Sequence, residues 1–307
     1  MSPATHTRRE FLGRAAAGGA LVGLTGCLGL GPSPSEQVDR RREELSRLED
    51  VSTAISEGYQ TAGRYVRTDD GVLGTPFVNP DVDALDETAP NMVLYDLTNE
   101  GQYRPLGVKW YVPASERDGP PTLFGRTFDG PTSSPLPFVP EHYALTVWLF
   151  RENPDGLFAP YNGAVDPAPL VDELEPVRDA LRPYLNGGNA EEQGFRNTEK
   201  CIADEGGYGV PFVPADGDGR GGTEPTEPPV LLYRITSNWN YLLNGAEWYV
   251  PVESTDSPPT MFGQEFHGPT AGHSPKTNQP EHYGLHAWLF YANPDGMFEP
   301  YNPVVRC

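Results

Sequence analysis

Four of the six histidines, His267, His273, His282 and His286, fall within twenty residues of one another near the end of the chain, and Glu247 lies twenty residues ahead of them. Imidazole and carboxylate groups together suit zinc or copper. His267-x5-His273 on a loop is spaced to converge with a neighbouring strand. If 282–290 is a strand, His282 and His286 share a face but stand about 13 Å apart along it, too far for one ion. Only one of the two then joins His267, His273 and Glu247. The competing reading makes them surface or turn histidines bonded to tyrosines and backbone. The chain has no His-Glu-x-x-His, Gly-x-Ser-x-Gly, phosphate-binding glycine loop or Cys-x-x-Cys, so no catalytic residue is assigned.

The elements that must position these groups are written twice. Leu94-Tyr95, Gly107, Trp110-Tyr111-Val112-Pro113, Phe124-Gly125 and Gly130-Pro131-Thr132 recur 138 residues later, from Leu232 to Thr270. Pro140-Glu141-His142-Tyr143, Trp148-Leu149-Phe150, Asn153-Pro154-Asp155-Gly156 and Pro160-Tyr161-Asn162 recur 140 residues later, from Pro280 to Asn302. Upstream, Gly74 and Pro76-Phe77-Val78 match Gly209 and Pro211-Phe212-Val213 at offset 135. Such self-similarity marks a tandem duplication, with repeat domains at 36–166 and 167–307.

Each copy opens on a helical pattern: Val38, Leu45, Leu48, Val51, Ile55, Tyr59 and Ala62 in the first, Val171, Leu174, Val177, Leu181 and Leu185 in the second. Aromatic-rich runs bounded by Pro and Gly follow at 92–97, 104–112, 122–128 and 142–150, each with its counterpart. No helical pattern separates these strands, which predicts antiparallel pairing. The expected fold is α+β: two tandem repeats, each an N-terminal helical segment packed on a small antiparallel β-sheet. The Gly, Asp, Glu and Pro of 216–228 predict a flexible loop inside the second repeat.

Ahead of the repeats, Arg8-Arg9-Glu10-Phe11-Leu12 followed by a short apolar stretch resembles a twin-arginine export signal, and Leu24-Thr25-Gly26-Cys27 resembles a lipobox. The apolar stretch is shorter than the ~20 residues of a spanning helix. The expectation is a signal peptide at 1–26, a lipidated Cys27 with a tether at 27–35, and a protein anchored to the outer face of the cell membrane. In that oxidising exterior the two remaining cysteines, Cys201 and Cys307, are expected to form a disulfide. Their counterparts in the first copy, Val66 and Pro167, are both other residues.

The shared residues also carry a family likeness. Phe262-Gly263-Gln264-x-Phe266-His267-Gly268-Pro269, then His282-Tyr283-x-Leu285-His286-x-Trp288-Leu289-Phe290, then Asn293-Pro294-x-Gly296-Met297-Phe298 resemble a family of small secreted bacterial and haloarchaeal domains of unassigned function. The likeness implies no activity. A histidine that follows Met-Gly-x in such relatives is replaced here by Pro76 and Pro211.

Both copies keep aromatic, Gly and Pro residues, the chemistry of turns and cores. What only the second copy has is polar: Glu247 stands where the first has Lys109, His267 where it has Asp129, and His286 where it has Thr146. Composition bounds the rest. Lys+Arg 22 against Asp+Glu 43 leaves −21 on 307 residues, which excludes a nucleic-acid surface or a polybasic membrane patch. Only three of the basic residues are lysine (Lys109, Lys200, Lys276), an acidic, lysine-poor balance resembling proteins of salt-loving organisms, where a Debye length of roughly 3 Å screens self-repulsion. Three functions fit: a lipid-anchored binding or structural module of the cell envelope, a metal-binding protein or metal-dependent enzyme using the second copy's histidines, and an adhesion or partner-recruiting protein presenting Trp239 and Tyr241.

Overall fold

The computed structural model describes residues 31–136, 138–202, 207–216, 221–272 and 279–306. The export signal with Arg8 and Arg9, Cys27, His273 and Cys307 therefore lie outside the described residues. From Pro32 onward the chain is one compact unit. The fold is α+β, with two similar antiparallel sheets and few helices.

The first sheet contains β1 (Gln60–Thr61), β2 (Val66–Thr68), β3 (Gly71–Val78), β4 (Met92–Leu97), β5 (Tyr103–Pro113), β8 (Asp129–Thr132) and β9 (His142–Val147), in the order β1-β3-β4-β5-β9-β8 with β2 also on β3. Between β5 and β8, β6 (Thr122–Leu123) and β7 (Arg126–Thr127) pair only with each other. The second sheet has the order β10-β11-β12-β13-β17-β16, where β10 is Phe195–Asn197, β11 Val210–Pro214, β12 Val230–Ile235, β13 Tyr241–Pro251, β16 His267–Thr270 and β17 His282–Ala287; β14 (Thr260–Met261) and β15 (Gln264–Glu265) form its separate pair. The copies share their irregularities as well. β4 on β5 shifts register at Leu94/Tyr95, and β12 on β13 at Leu232/Tyr233.

The residues kept in both copies make this frame. Trp110 and Trp248 are fully buried and donate their indole N–H groups to Asp86 O at 2.7 Å and Glu224 O at 2.9 Å. Asn153 and Asn293 bridge their loops through Nδ2 to Tyr161 O at 2.8 Å and Tyr301 O at 2.7 Å. Gly107 and Gly245 let strands cross closely: a Cβ would stand 2.4 Å from Val147 O and 2.0 Å from Ala287 O.

Several expected elements are shorter or broken. The first helical pattern divides into α1 (Pro34–Leu45), a 3-10 turn and α2 (Val51–Ser56), because Asp50 caps a new helix by accepting from Ser52 N and Thr53 N. Tyr59 and Ala62 lie beyond it. The second pattern ends at Leu181 of α3 (Pro169–Leu181), where Pro183 stops the helix short of Leu185; α4 (Gly187–Glu192) follows. The expected strand 122–128 is instead the β6–β7 hairpin, turned by Phe124 and Gly125 at φ 50° and 66°. The loop expected flexible at 216–228 is tied down in its described part, with Gly222 N donating to Tyr249 O at 2.9 Å. Among the described residues no helix is long and apolar enough to cross a membrane.

One buried cluster runs through both copies, joining Leu94, Leu97 and Leu106 to Leu170, Leu174, Phe212 and Tyr233. Met297 N donates to Gly101 O at 2.9 Å, and Gln264 Nε2 to Asn99 O at 3.0 Å.

Candidate functional site

Glu247 sits in the middle of β13, at register with His286 on β17 and Val230 on β12. Central strands have neighbours on both edges, and the Glu247 side chain is fully buried. A buried carboxylate needs a full set of donors. Tyr208, just ahead of β11, donates its hydroxyl to Oε2, and Gln279, just ahead of β17, donates Nε2 to Oε1 at 3.0 Å. His282 Nε2 is 3.3 Å and His286 Nε2 4.0 Å from the same Oε1. All five residues are buried. Tyr208 also stands edge-on to His286 (5.1 Å between centroids), and Tyr249 edge-on to His282 (5.2 Å).

The convergence of His282 and His286 on Glu247 corrects the expectation that only one could reach it. Their Cα atoms are four positions apart on β17, but the residue between them on the same face is Gly284. A Cβ there would lie 3.2 Å from Glu247 Oε1 and 3.4 Å from His282 Cδ2. The missing side chain is the space into which both lean.

His282 Nδ1 is 2.8 Å from Pro280 O, so Nδ1 carries a proton and donates it. That leaves Nε2 aimed at a carboxylate oxygen, an arrangement of two lone pairs unless a cation stands between. A proton on Nε2 serves. Burial opposes it, but the Glu247 carboxylate outweighs burial and raises the His282 pKa above its ordinary value. Burial, then Glu247, pushes the Tyr208 hydroxyl well up, so it remains a donor.

The other expected metal ligands do not join. His267 is exposed on the edge strand β16, opposite Gly284, and His273 lies outside the described residues. Among the described residues, no three His, Cys, Asp or Glu side chains are grouped to hold a metal ion. Cys201 is half-buried and disulfide-bonded. Both Cys27 and Cys307 fall outside the described residues.

Two members of the cluster were missed by the reading of residue types. Tyr208 replaces Leu73 of the first copy and Gln279 replaces Val139; comparing the copies at offsets 135 and 140 exposes both as polar gains. In the first copy Leu73 and Val139 are buried, Lys109 takes the Glu247 position, and His142 keeps its Nδ1 bond to Pro140 O at 2.8 Å. Its Nε2 is buried without a hydrogen-bond partner among the described residues. Burial, reinforced by Lys109, lowers the His142 pKa, while burial brings Lys109 down to about 8.

A second concave feature lies where the copies meet. A groove of about 240 Å³ has Ala62, Leu242, Leu243 and Phe290 among its lining residues, with Phe138 and Leu185 also on its wall. Those last two are 56% and 41% exposed, and Trp239, 82% exposed, at the tip of the β12–β13 hairpin, is the third large exposed hydrophobic residue among the described residues. Tyr241, expected exposed, is half-buried against Phe212 at 5.4 Å. Arg64, Arg182 and Arg234 line it as well.

No family model, curated protein or solved structure matches this chain.

Proposed function

We propose that the chain is a lipid-anchored binding protein of the cell envelope, exported through its twin arginines Arg8 and Arg9, held to the outer face of the membrane through Cys27, and taking its ligand in the groove between the two copies. The observation that carries this reading is a contrast. The groups able to do chemistry are closed in on Glu247 at 0% exposure, whereas apolar Phe138 and Leu185 stand open to water at the groove. Exposed apolar surface beside polar groups is the usual mark of a binding face.

In the same reading each opening helical segment packs on its own sheet. Val38, Leu45 and Leu48 share a buried cluster with Phe77, Val93 and Trp110, and Tyr95 donates its hydroxyl to Leu48 O at 2.6 Å. Leu174 and Val177 share one with Phe212 and Tyr233. The acidic surface suits a salt-rich exterior, and Cys201 pairs with Cys307 there. The role of the Glu247 cluster is structural: it holds β11, β13 and β17 together by hydrogen bonds and one charge pair.

The main test uses the chain purified from its own membranes under native conditions. Intact native mass spectrometry should find a non-covalent small molecule on the parent and lose it in Leu185→Glu. Cys27→Ser should free the protein from the membrane or leave its signal uncut. A parent that carries nothing, or a Leu185→Glu variant that carries as much, overturns the groove; unchanged retention and processing of Cys27→Ser overturn the anchor.

A further inference from the structure

We infer that the groove between the copies is built for an amphiphilic carboxylate: an anionic head met by guanidinium groups and an apolar body laid on the leucine and phenylalanine side chains. The inference rests on the groove being the binding face, and it names the class of ligand that face takes.

Charge complementarity is the first argument. The chain carries −21 overall and only 22 basic residues, yet three arginines line this one groove of about 240 Å³. Two of them have local acidic partners, Arg64 with Glu175 at 3.6 Å and Arg182 with Asp179 at 2.8 Å. Both pairs are well exposed, and such pairs hold their partners weakly. Arg234 differs. Its Nη1 donates to Asn244 Oδ1 at 2.8 Å, its guanidinium lies 4.3 Å over the ring of Tyr291, and no carboxylate is paired with it among the described residues. A guanidinium remains charged and presents five donors in a fixed fork, the shape that a carboxylate meets with two parallel bonds. Stacked on Tyr291 and tied to Asn244, it is oriented before a ligand arrives, which reduces the entropy lost on binding.

The apolar part is the second argument. Leu242 and Leu243 of β13, Phe290 after β17 and Ala62 of the first copy meet here, and the exposed Phe138 and Leu185 leave apolar surface in water. Covering such surface is favourable by roughly 25 cal/mol per Å². The position of Arg234 is Asp96 in the first copy, where the carboxylate accepts from Tyr65 OH at 2.6 Å. The cation is therefore peculiar to the second copy and is not part of the duplicated frame.

Decanoate is the probe, titrated into the purified chain by calorimetry at fixed salt, with decanol, acetate and inorganic phosphate as comparisons. The expected result is saturable one-to-one binding of decanoate, at least tenfold weaker binding of acetate and decanol, and at least tenfold loss in Arg234→Gln. Leu185→Glu, a change at an exposed position that leaves the frame intact, should lose as much, so the test survives if Arg234→Gln does not fold. Decanol binding as well as decanoate would reduce the groove to an apolar surface and overturn the inference. So would phosphate binding more tightly than decanoate, an absence of saturable binding, or both variants binding decanoate as tightly as the parent. If a natively bound molecule is found on the parent and decanoate does not displace it, the ligand class is wrong while the binding face stands; if no such molecule is found and decanoate does not bind, both fall.

Discussion

Lys109 and Glu247 occupy one position in two sheets. Lys109 pairs across β5 and β9 with Thr146, and Glu247 pairs across β13 and β17 with His286. The duplicated frame thus holds a cation in one copy and an anion in the other, and each has set its neighbours. Around Glu247 stand Tyr208, Gln279, His282 and His286; at the matching positions around Lys109 are Leu73, Val139, His142 and Thr146. The second copy satisfies its buried charge, and the first offers no carboxylate within bonding distance of its own among the described residues.

The His282–Glu247 pair makes stability depend on pH. The folded-state pKa of His282 is raised, so its contribution is complete below the unfolded value of about 6.5 and is lost as pH rises through the folded value. His282→Gln should therefore be most destabilising, by about 3 kcal/mol, below pH 6.5, with the gap to the parent narrowing at higher pH. Urea denaturation of both proteins from pH 5 to 9 checks this; a gap independent of pH would remove the charge from the pair.

Lys109 runs the other way. Its folded pKa is brought down to about 8 by burial, against an ordinary value near 10.5. The unfolded chain binds the extra proton between those limits, so this group's penalty is constant below pH 8 and is relieved as pH climbs from 8 towards 10.5. Lys109→Met should stabilise the protein at pH 7 by ~1 kcal/mol, a modest figure because the side chain is only partly buried, and the gain should shrink by pH 10. Thermal midpoints across that range measure it.

Gly284→Ala should destabilise the second copy by about 1 to 3 kcal/mol, because the new Cβ meets Glu247 Oε1 at 3.2 Å and the His282 ring at 3.4 Å. The first copy already has Ala144 there, and Ala144→Gly should cost only about the ~1 kcal/mol of glycine's extra chain entropy. The two unfolding curves, compared at one pH, separate a steric effect from a general one.

Cys201→Ser should lower stability by at most about 4 to 5 kcal/mol, the loop-closure figure for a bridge to Cys307 spanning about a hundred residues. Alkylation of the unfolded parent should label neither thiol before reduction and both after it, read by intact mass. Two labelled thiols without reductant would refute that pairing.

The duplication, the antiparallel strands and the polar gains of the second copy were legible in the order of residues, because each depends on local chemistry. Pro113 and Pro251 end the long central strand of each copy, Asn-Pro-Asp-Gly turns the chain in both copies, and aromatic runs mark what must be buried. Asp50, which restarts a helix, and the Phe124-Gly125 turn, which splits an expected strand, were there too but act through backbone geometry that apolar spacing does not register. The site was legible as residue types only. Tyr208 and Gln279 stand 39 and 32 residues from Glu247, and which hydroxyl or amide reaches a carboxylate depends on strand order and register. The same holds for His282 and His286: spacing along a strand separated them, and the empty face of Gly284 let both lean onto one oxygen. The groove has no sequence signature at all. Arg64, Arg182 and Arg234 come from three distant segments, and only the packing of one copy against the other brings them to a common apolar surface.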